Sequence, residues 1–166
     1  STLLSYRLQK ALQVMAEFES LQDAQCLVTG GASFIGSHII EALLAQGARV
    51  RVLDNFSTGF RQNLEPFLSQ IELVDGDASE SEVAQSATDG VDYIFHQAAM
   101  ASVPRSIREP ATCNAWCTTS TVELLHAAAQ GNVRRFVLAS TSAAYGNSTY
   151  TAKRETDPSA PLSPYA

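Results

Sequence analysis

Glycines and small polar residues cluster in the segment CLVTGGASFIGSHII, residues 26–40. A short apolar run ends at Thr29, and the glycines after it allow a sharp turn in which the backbone approaches a ligand without an intervening Cβ. A helical pattern follows, and the unpaired N–H groups at the start of such a helix bind anions. The segment therefore predicts the pyrophosphate-binding turn of a nucleotide-binding βαβ unit, formed by Gly30, Ser33, Phe34, Ile35 and Gly36.

Asp54 ends the next apolar run, 18 residues after Gly36. A dinucleotide-binding fold places at about this distance an acid that accepts hydrogen bonds from the adenosine ribose hydroxyls. A carboxylate there repels a 2′-phosphate, which favours NAD over NADP as the cofactor. The alternative is an ordinary turn aspartate, but the preceding glycine turn favours the ribose interpretation. A polar loop is expected to cover the adenosine, formed by Asn55, Phe56, Ser57, Thr58 and Gly59.

Two further strand ends carry candidate cofactor residues. Asp77, followed by Ala78, has two open interpretations: contact with the adenine amino group, or capping of a helix that begins near Ser79. His96 ends another apolar run, and a structural role is favoured over catalysis for this single histidine. The small residues after it would let a cofactor lie against the strand end, at Gln97, Ala98 and Ala99.

These residues require a sheet that brings several strand ends together. Apolar runs predict five strands, within residues 26–29, 48–53, 71–74, 91–96 and 134–139, with helices between them. The predicted helices include one ending near Pro66, a long one from Pro110 to Gln130, and one after the glycine turn with Phe34 and Ile35 in its apolar stripe. The fold class is α/β, a doubly wound parallel sheet of the Rossmann type, over residues 24–166. Residues 1–23 are predicted to be an N-terminal helical extension.

Composition limits the class of protein. A chain of 166 residues with a net charge of −6 does not predict a nucleic-acid or anionic-membrane surface. No apolar run reaches the length of a membrane span, and no secretory leader is evident, so a cytoplasmic location is expected. Cys113 and Cys117 lie one helical turn apart. Buried thiols are the favoured interpretation over a metal pair, and no metal site is expected.

Seven segments occur in an order that resembles the extended short-chain dehydrogenase/reductase family, in particular its NAD-dependent nucleotide-sugar 4-epimerases of the UDP-N-acetylglucosamine type. The resemblance covers residues 25–166. The segments are VTGGASFIGSH, LDNFSTG, DGD, FHQAA, SVPRSI, ASTSAAYG and LSPYA.

The resemblance implies a proton-transfer site and a substrate. Tyr165 would remove the proton from the 4-hydroxyl of a UDP-sugar while NAD accepts the C4 hydride, and Thr141 or Ser142 would hydrogen-bond the reacting oxygen. Ser102 and Arg105 are candidate substrate contacts, with a surface position equally open for Arg105. The family's lysine, four residues after the tyrosine, would fall beyond Ala166. We therefore expect an N-terminal fragment, without the sugar-binding domain and inactive by itself; relatives also form homodimers through long helices.

Four positions differ from the family pattern or separate its activities. Ser33 replaces the middle glycine of the turn, and Cys117 replaces an asparagine beside an unusual Trp116. Dehydratases of the family carry an Asp-Glu pair, and decarboxylases a Glu, where this chain has Ser142 and Ala143, so epimerisation is favoured. The alternative is a non-catalytic nucleotide-binding module.

Overall fold

The computed structural model describes residues 20–147 and 152–166. Within these ranges the chain forms five strands, five α-helices, one π-helical turn and three short 3₁₀ turns. The predicted N-terminal helix lies outside the described residues. The strands are β1 (Gln25–Thr29), β2 (Arg49–Asp54), β3 (Ile71–Asp75), β4 (Tyr93–His96) and β5 (Arg135–Leu138). The helices are α1 (Phe34–Ala45), α2 (Ser81–Thr88), α3 (Val103–Arg108), α4 (Pro110–Asn114) and α5 (Ser120–Gln130), with a π-helical turn at Ala115–Thr119.

All strand pairs are parallel, and the order across the sheet is β3-β2-β1-β4-β5. The chain winds outward from β1 to β3 and then crosses back to β4 on the other side of β1. In open parallel sheets, ligands bind outside the carboxyl ends of the strands where the winding direction reverses. Here that point lies between β1 and β4, where Thr29 is level with Leu53 on one side and His96 on the other.

Alternate residues of the central strands contribute to two separate cores, because successive side chains of a strand point to opposite faces of the sheet. Cys26 and Val28 pack with Ile40 and Leu43 of α1 on one face. Leu27 packs on the opposite face with Leu124 of α5 and the small residues of α2. Helices on both faces of a parallel sheet make a doubly wound Rossmann domain, so the predicted fold class is confirmed.

Three predicted helical segments differ in detail. The segment predicted as a helix ending near Pro66 forms two 3₁₀ turns, Arg61–Asn63 and Glu65–Phe67, because proline lacks the N–H needed to continue a helix. The predicted helix from Pro110 to Gln130 is divided by the π-helical turn. Phe34 and Ile35 are exposed, at 76% and 60%, because they belong to the first turn of α1, beyond the edge of the core.

Candidate functional site

The glycine turn between β1 and α1 depends on close backbone contacts. Gly30 has φ +66°, and a Cβ there would lie 2.8 Å from the backbone nitrogen of Ala98. A Cβ on Gly36 would lie 2.3 Å from the carbonyl oxygen of Gly30. These two glycines therefore let the turn lie against both β4 and the first turn of α1, which leaves its backbone accessible to a ligand.

Ser33 is the N-cap of α1. Its hydroxyl accepts a hydrogen bond from the Gly36 N–H at 3.1 Å and donates one to the Gly30 carbonyl at 2.7 Å. The N–H groups of Phe34 and Ile35 have no acceptor within the helix because they belong to its first turn. The side chain that replaces the family's middle glycine thus stabilises the turn and engages one of the N–H groups at the helix start.

Asp54 connects the end of β2 to the glycine turn. One carboxylate oxygen accepts from the Ala32 N–H at 2.9 Å and the other from the Phe56 N–H at 2.8 Å. A carboxylate has about four lone-pair sites. These two bonds therefore leave acceptor capacity on Asp54, which is 8% exposed and lines the cleft described below.

Asp77 accepts three hydrogen bonds, two from Ser79 and one from Asn55. One carboxylate oxygen accepts from the Ser79 N–H at 2.9 Å and the Ser79 hydroxyl at 2.7 Å, and the other accepts from the Asn55 amide at 2.9 Å. Burial alone would raise the pKa of this carboxyl, but the hydrogen bonds from Ser79 and Asn55, with a smaller contribution from nearby Trp116, outweigh burial and lower the pKa. Helix α2 begins only at Ser81 with Glu80 as its N-cap residue, so the capping interpretation of Asp77 was wrong: it caps the turn before the helix.

These elements enclose a cleft that is open to solvent. The predicted cofactor residues that line it are Gly30, Ser33, Asp54, Asn55, Ser57, Thr58, Gly59, Asp77, Ala78, Gln97, Ala98 and Ala99. The cleft lining does not include Gly36, Phe34, Ile35 or Phe56. The Phe56 ring instead faces the Arg61 guanidinium, whose carbon lies 3.7 Å from the ring centroid. Sequence analysis missed Leu53, Gly76, Trp116 and Ser120 as lining residues. The spacing of four between Trp116 and Ser120, which places them on one helical face, was the available signal.

Trp116 reaches the cleft from the π-helical turn. The backbone N–H of Ser120 bonds to the carbonyl of Ala115, five residues back, so the helical ladder is displaced by one residue. The Ser120 hydroxyl donates to the Trp116 carbonyl at 2.6 Å and satisfies an acceptor in the displaced ladder. π-Helical turns of this kind occur often at functional sites.

The candidate substrate residues form a separate group beside the cleft. Ser102 is the N-cap of α3, where its hydroxyl accepts from the Arg105 N–H at 3.3 Å. Arg105 pairs with Glu109 at 3.1 Å, and its guanidinium carbon lies 4.9 Å from the Trp116 ring centroid. Neither Ser102 nor Arg105 lines the cleft.

His96 is buried and fully paired. Its Nδ1 lies 2.6 Å from the Thr29 hydroxyl and its Nε2 lies 3.0 Å from the Thr121 hydroxyl. The Thr121 hydroxyl donates to the Cys117 carbonyl at 2.6 Å, so toward His96 it acts as the acceptor and the His96 proton is on Nε2. Nδ1 is therefore an acceptor, and the Thr29 hydroxyl donates to it. The Thr29 oxygen also accepts the Ala98 N–H at 3.2 Å. Burial lowers the pKa of His96 to about 4. The neutral ring thus connects β1, β4 and the long helix, which is a structural role.

The candidate catalytic hydroxyls lie beyond β5. Thr141 caps the 3₁₀ turn Ser142–Tyr145 by accepting the N–H of the second residue of the turn at 3.2 Å. The segment that carries Tyr165 contacts this turn, where the Ala160 N–H donates to the Ala144 carbonyl at 2.9 Å. Thr141, Ser142 and Tyr165 are absent from the cleft lining, so their catalytic roles stay predictions.

Cys26 and Cys113 are buried free thiols, and Cys117 is half-buried. The sulfur atoms of Cys113 and Cys117 are 4.0 Å apart, and burial raises the pKa of Cys113, with a further increase from Cys117. Burial also raises the pKa of Cys26 to about 11. In the described part of the chain, no group of three or more His, Cys, Asp or Glu residues is arranged to hold a metal ion. Over the same residues, no helix has the length and apolarity needed to cross a bilayer.

The doubly wound sheet, the glycine turn and the acid at the end of β2 define a dinucleotide-binding Rossmann domain. Residues 26–166 match the NAD dependent epimerase/dehydratase family, and the chain belongs to that family.

Individual relatives are nucleotide-sugar enzymes. The UDP-glucose 4-epimerase of Lacticaseibacillus casei is 36% identical over 140 residues, which are 83% of this chain and 41% of that protein. The UDP-N-acetylglucosamine 4-epimerase from Methanobrevibacter ruminantium M1, solved in complex with UDP-N-acetylmuramic acid, is 34% identical with a TM-score of 0.80; the match covers 87% of this chain and 46% of that chain. The UDP-glucose 4-epimerase of Thermus thermophilus, solved in complex with NAD, is 39% identical with a TM-score of 0.78 and coverages of 85% and 46%. The chain thus spans less than half the length of these three relatives.

Proposed function

We propose that this chain binds NAD in the cleft and forms the cofactor-binding part of a nucleotide-sugar 4-epimerase. The observation that carries the proposal is Asp54, whose carboxylate is fixed to the glycine turn through the Ala32 N–H at 2.9 Å and retains acceptor capacity at the cleft. The pyrophosphate would lie at the glycine turn, against the free N–H groups of Phe34 and Ile35. The adenosine ribose would donate to Asp54, and the loop of Asn55, Phe56, Ser57, Thr58 and Gly59 would cover it.

The substrate in this proposal is a UDP-sugar of the UDP-N-acetylglucosamine and UDP-N-acetylgalactosamine type. Bound NAD supplies a hydride acceptor for C4 of the sugar. Tyr165 takes the proton of the 4-hydroxyl, and Thr141 or Ser142 donates a hydrogen bond to the same oxygen. Support comes from the relatives, which include enzymes named for UDP-glucose and for UDP-N-acetylglucosamine. Ser142 and Ala143 offer no carboxyl group for dehydration or decarboxylation.

Calorimetric titration with NAD and NADP tests the cofactor half of the proposal. We expect NAD to bind and NADP to bind at least about tenfold more weakly, because the Asp54 carboxylate repels the 2′-phosphate. The variant Asp54→Asn should bind NAD more weakly and should show a smaller difference in affinity between NAD and NADP. Equal affinity of the native chain for NAD and NADP would contradict the assignment of Asp54.

A second candidate is a nucleotide-binding module without catalysis. One observation favours it: the Ser33 hydroxyl engages the Gly36 N–H at the helix start. The protein carrying its complete coding sequence discriminates the two candidates in an assay with UDP-N-acetylglucosamine. Formation of the C4 epimer supports the enzyme, and NAD binding without epimer formation supports the module. Homodimerisation through the long helix is part of the enzyme proposal and is tested by sedimentation.

A further inference from the structure

Within the loop of residues 55–59, one residue differs from its neighbours. Four of the five residues line the cleft, and Phe56 is the exception. Phe56 has φ +55°, a left-handed conformation that is uncommon for a bulky side chain and costs free energy unless the surrounding structure holds it. Strained residues of this kind are concentrated at ligand-binding sites, so the contacts that hold Phe56 bear on how the cleft binds a ligand.

Three contacts hold Phe56 in this conformation. Its N–H donates to the Asp54 carboxylate at 2.8 Å, and its ring packs against the hydrophobic core on the α1 face of the sheet. The guanidinium carbon of Arg61 lies 3.7 Å from the ring centroid. The same guanidinium pairs with Asp75 at the end of β3, which is level with Asp54 in the sheet. Arg61 thus connects the Phe56 ring to the end of the neighbouring strand.

The Phe56 N–H also orients the carboxylate that faces the cleft. Asp54 accepts this N–H on one oxygen and the Ala32 N–H on the other, at 2.9 Å, so the two bonds together fix the rotation of the carboxylate. If Phe56 left its left-handed conformation, the first bond would be lost and the carboxylate would be held at one oxygen. The segment that carries Arg61 is itself fixed to the glycine turn, because the Ala32 carbonyl accepts the Phe60 N–H at 3.1 Å and the Asn63 amide at 2.8 Å.

We propose that Arg61 is a positioning residue of the dinucleotide site. Its guanidinium, anchored on Asp75, holds the Phe56 ring and thereby keeps the loop of residues 55–59 and the Asp54 carboxylate in the conformation that binds the adenosine ribose. Arg61 does not line the cleft, so it acts through Phe56. This inference rests on the proposed function, because it concerns the affinity of the cleft for NAD.

Calorimetric titration of NAD into variants of Arg61 and Phe56 tests the proposal. Arg61→Gln should weaken NAD binding about threefold to fivefold, the effect of one cation–π contact at an exposed site. Arg61→Lys retains a cation that can lie over the ring and should keep most of the affinity. Phe56→Leu removes the ring face and should itself weaken NAD binding. Adding Arg61→Gln to Phe56→Leu should then cause no further loss, because the ring through which Arg61 acts is gone.

Arg134→Gln is a matched control. The Arg134 side chain pairs with Asp92 at 3.4 Å and is 58% exposed, close to the 61% of Arg61, but it directly precedes β5 at the amino end of the sheet. The substitution removes the same charge far from the cleft and should leave NAD affinity unchanged. Far-UV circular dichroism establishes that each variant is folded.

The possible outcomes separate the two proposals. If NAD binds the native chain and Arg61→Gln with the same affinity, Arg61 has no positioning role. If Arg61→Gln weakens NAD binding as much in the Phe56→Leu background as in the native chain, Arg61 acts by its charge alone, and the inference is wrong. If NAD does not bind the native chain, the proposed function fails, and the inference fails with it.

Discussion

At Ser33 a hydroxymethyl group stands where the family has a glycine, and its two hydrogen bonds give it a definite role. It caps α1 through the Gly36 N–H and contacts the Gly30 carbonyl. The sequence by itself showed only a departure from the glycine that the family resemblance implies at this position. The structure adds that the Ser33 hydroxyl stabilises the turn. Removal of this hydroxyl is therefore expected to lower the unfolding free energy and to raise the affinity for NAD.

Replacing Ser33 by glycine tests this opposition. Ser33→Gly should lower the unfolding free energy by only a few tenths of a kcal/mol, because glycine is a tolerated N-cap, and it should increase NAD affinity several-fold by freeing the Gly36 N–H. Ser33→Ala, which keeps the Cβ, should cost about 1 kcal/mol of stability. Denaturant unfolding and calorimetry measure both quantities. Weaker NAD binding by Ser33→Gly would show that the hydroxyl contributes to the site.

His96 makes stability depend on pH. Its pKa is about 4 in the folded chain and about 6.5 when unfolded, so between these values the unfolded state binds more protons. The unfolding free energy should therefore fall as pH decreases from 6.5 to 4, by up to about 3 kcal/mol. The pKa of Asp77 is lowered in the folded chain. Protonation of Asp77 therefore also reduces the unfolding free energy as pH falls, but only below its ordinary pKa of 3.8.

Urea unfolding across this pH range checks the assignment to His96. The variant His96→Gln should have a lower unfolding free energy at pH 7. Between pH 6.5 and 4, however, its unfolding free energy should change less with pH, because the contribution of His96 is gone. An identical slope in both proteins would assign the pH dependence to other groups.

At the scale of elements, α1 is positioned by its contact with the glycine turn. Gly36→Ala should destabilise the chain by roughly 2 kcal/mol or more, because the new Cβ would lie 2.3 Å from the Gly30 carbonyl and would push the helix away from β1. Gly131→Ala is the matched control, since its Cβ would meet nothing closer than 3.6 Å and its backbone is extended. Thermal unfolding compares the two variants. An equal change in melting temperature for the two variants would show that α1 accommodates the new Cβ without losing its packing against β1.

The long helix shows why element type is easier to predict than element detail. Its extent from Pro110 to Gln130 follows from the helical spacing of its apolar residues. The π-helical turn does not, because it depends on a one-residue shift of the hydrogen-bond ladder that side chains from other elements stabilise. The Thr121 hydroxyl, for example, connects the Cys117 carbonyl to His96 of β4.

At the scale of the whole molecule, cofactor binding should stabilise the entire domain, because the cleft joins residues from both halves of the sheet. A ligand that binds only the folded state at 100 times its Kd adds about 2.7 kcal/mol to the unfolding free energy. We expect NAD to raise the melting temperature of the native chain, and to raise it less for Asp54→Asn. NADP serves as the ligand control. Equal stabilisation by both dinucleotides would contradict a ribose contact at Asp54.

The sequence by itself determined the parallel sheet, the glycine turn and the acid at the end of β2, because these depend on local periodicity, on backbone freedom and on spacing along one βαβ unit. Only the tertiary structure decided which side chains share a cleft. Trp116 and Asp77 belong to different elements, yet both line the cleft at the carboxyl end of the sheet, Trp116 from the π-helical turn. The hydroxyl of Ser33 was likewise visible in the sequence, but its bonds to Gly30 and Gly36 were not. Packing between elements, which no local pattern encodes, thus decides how open the dinucleotide site is.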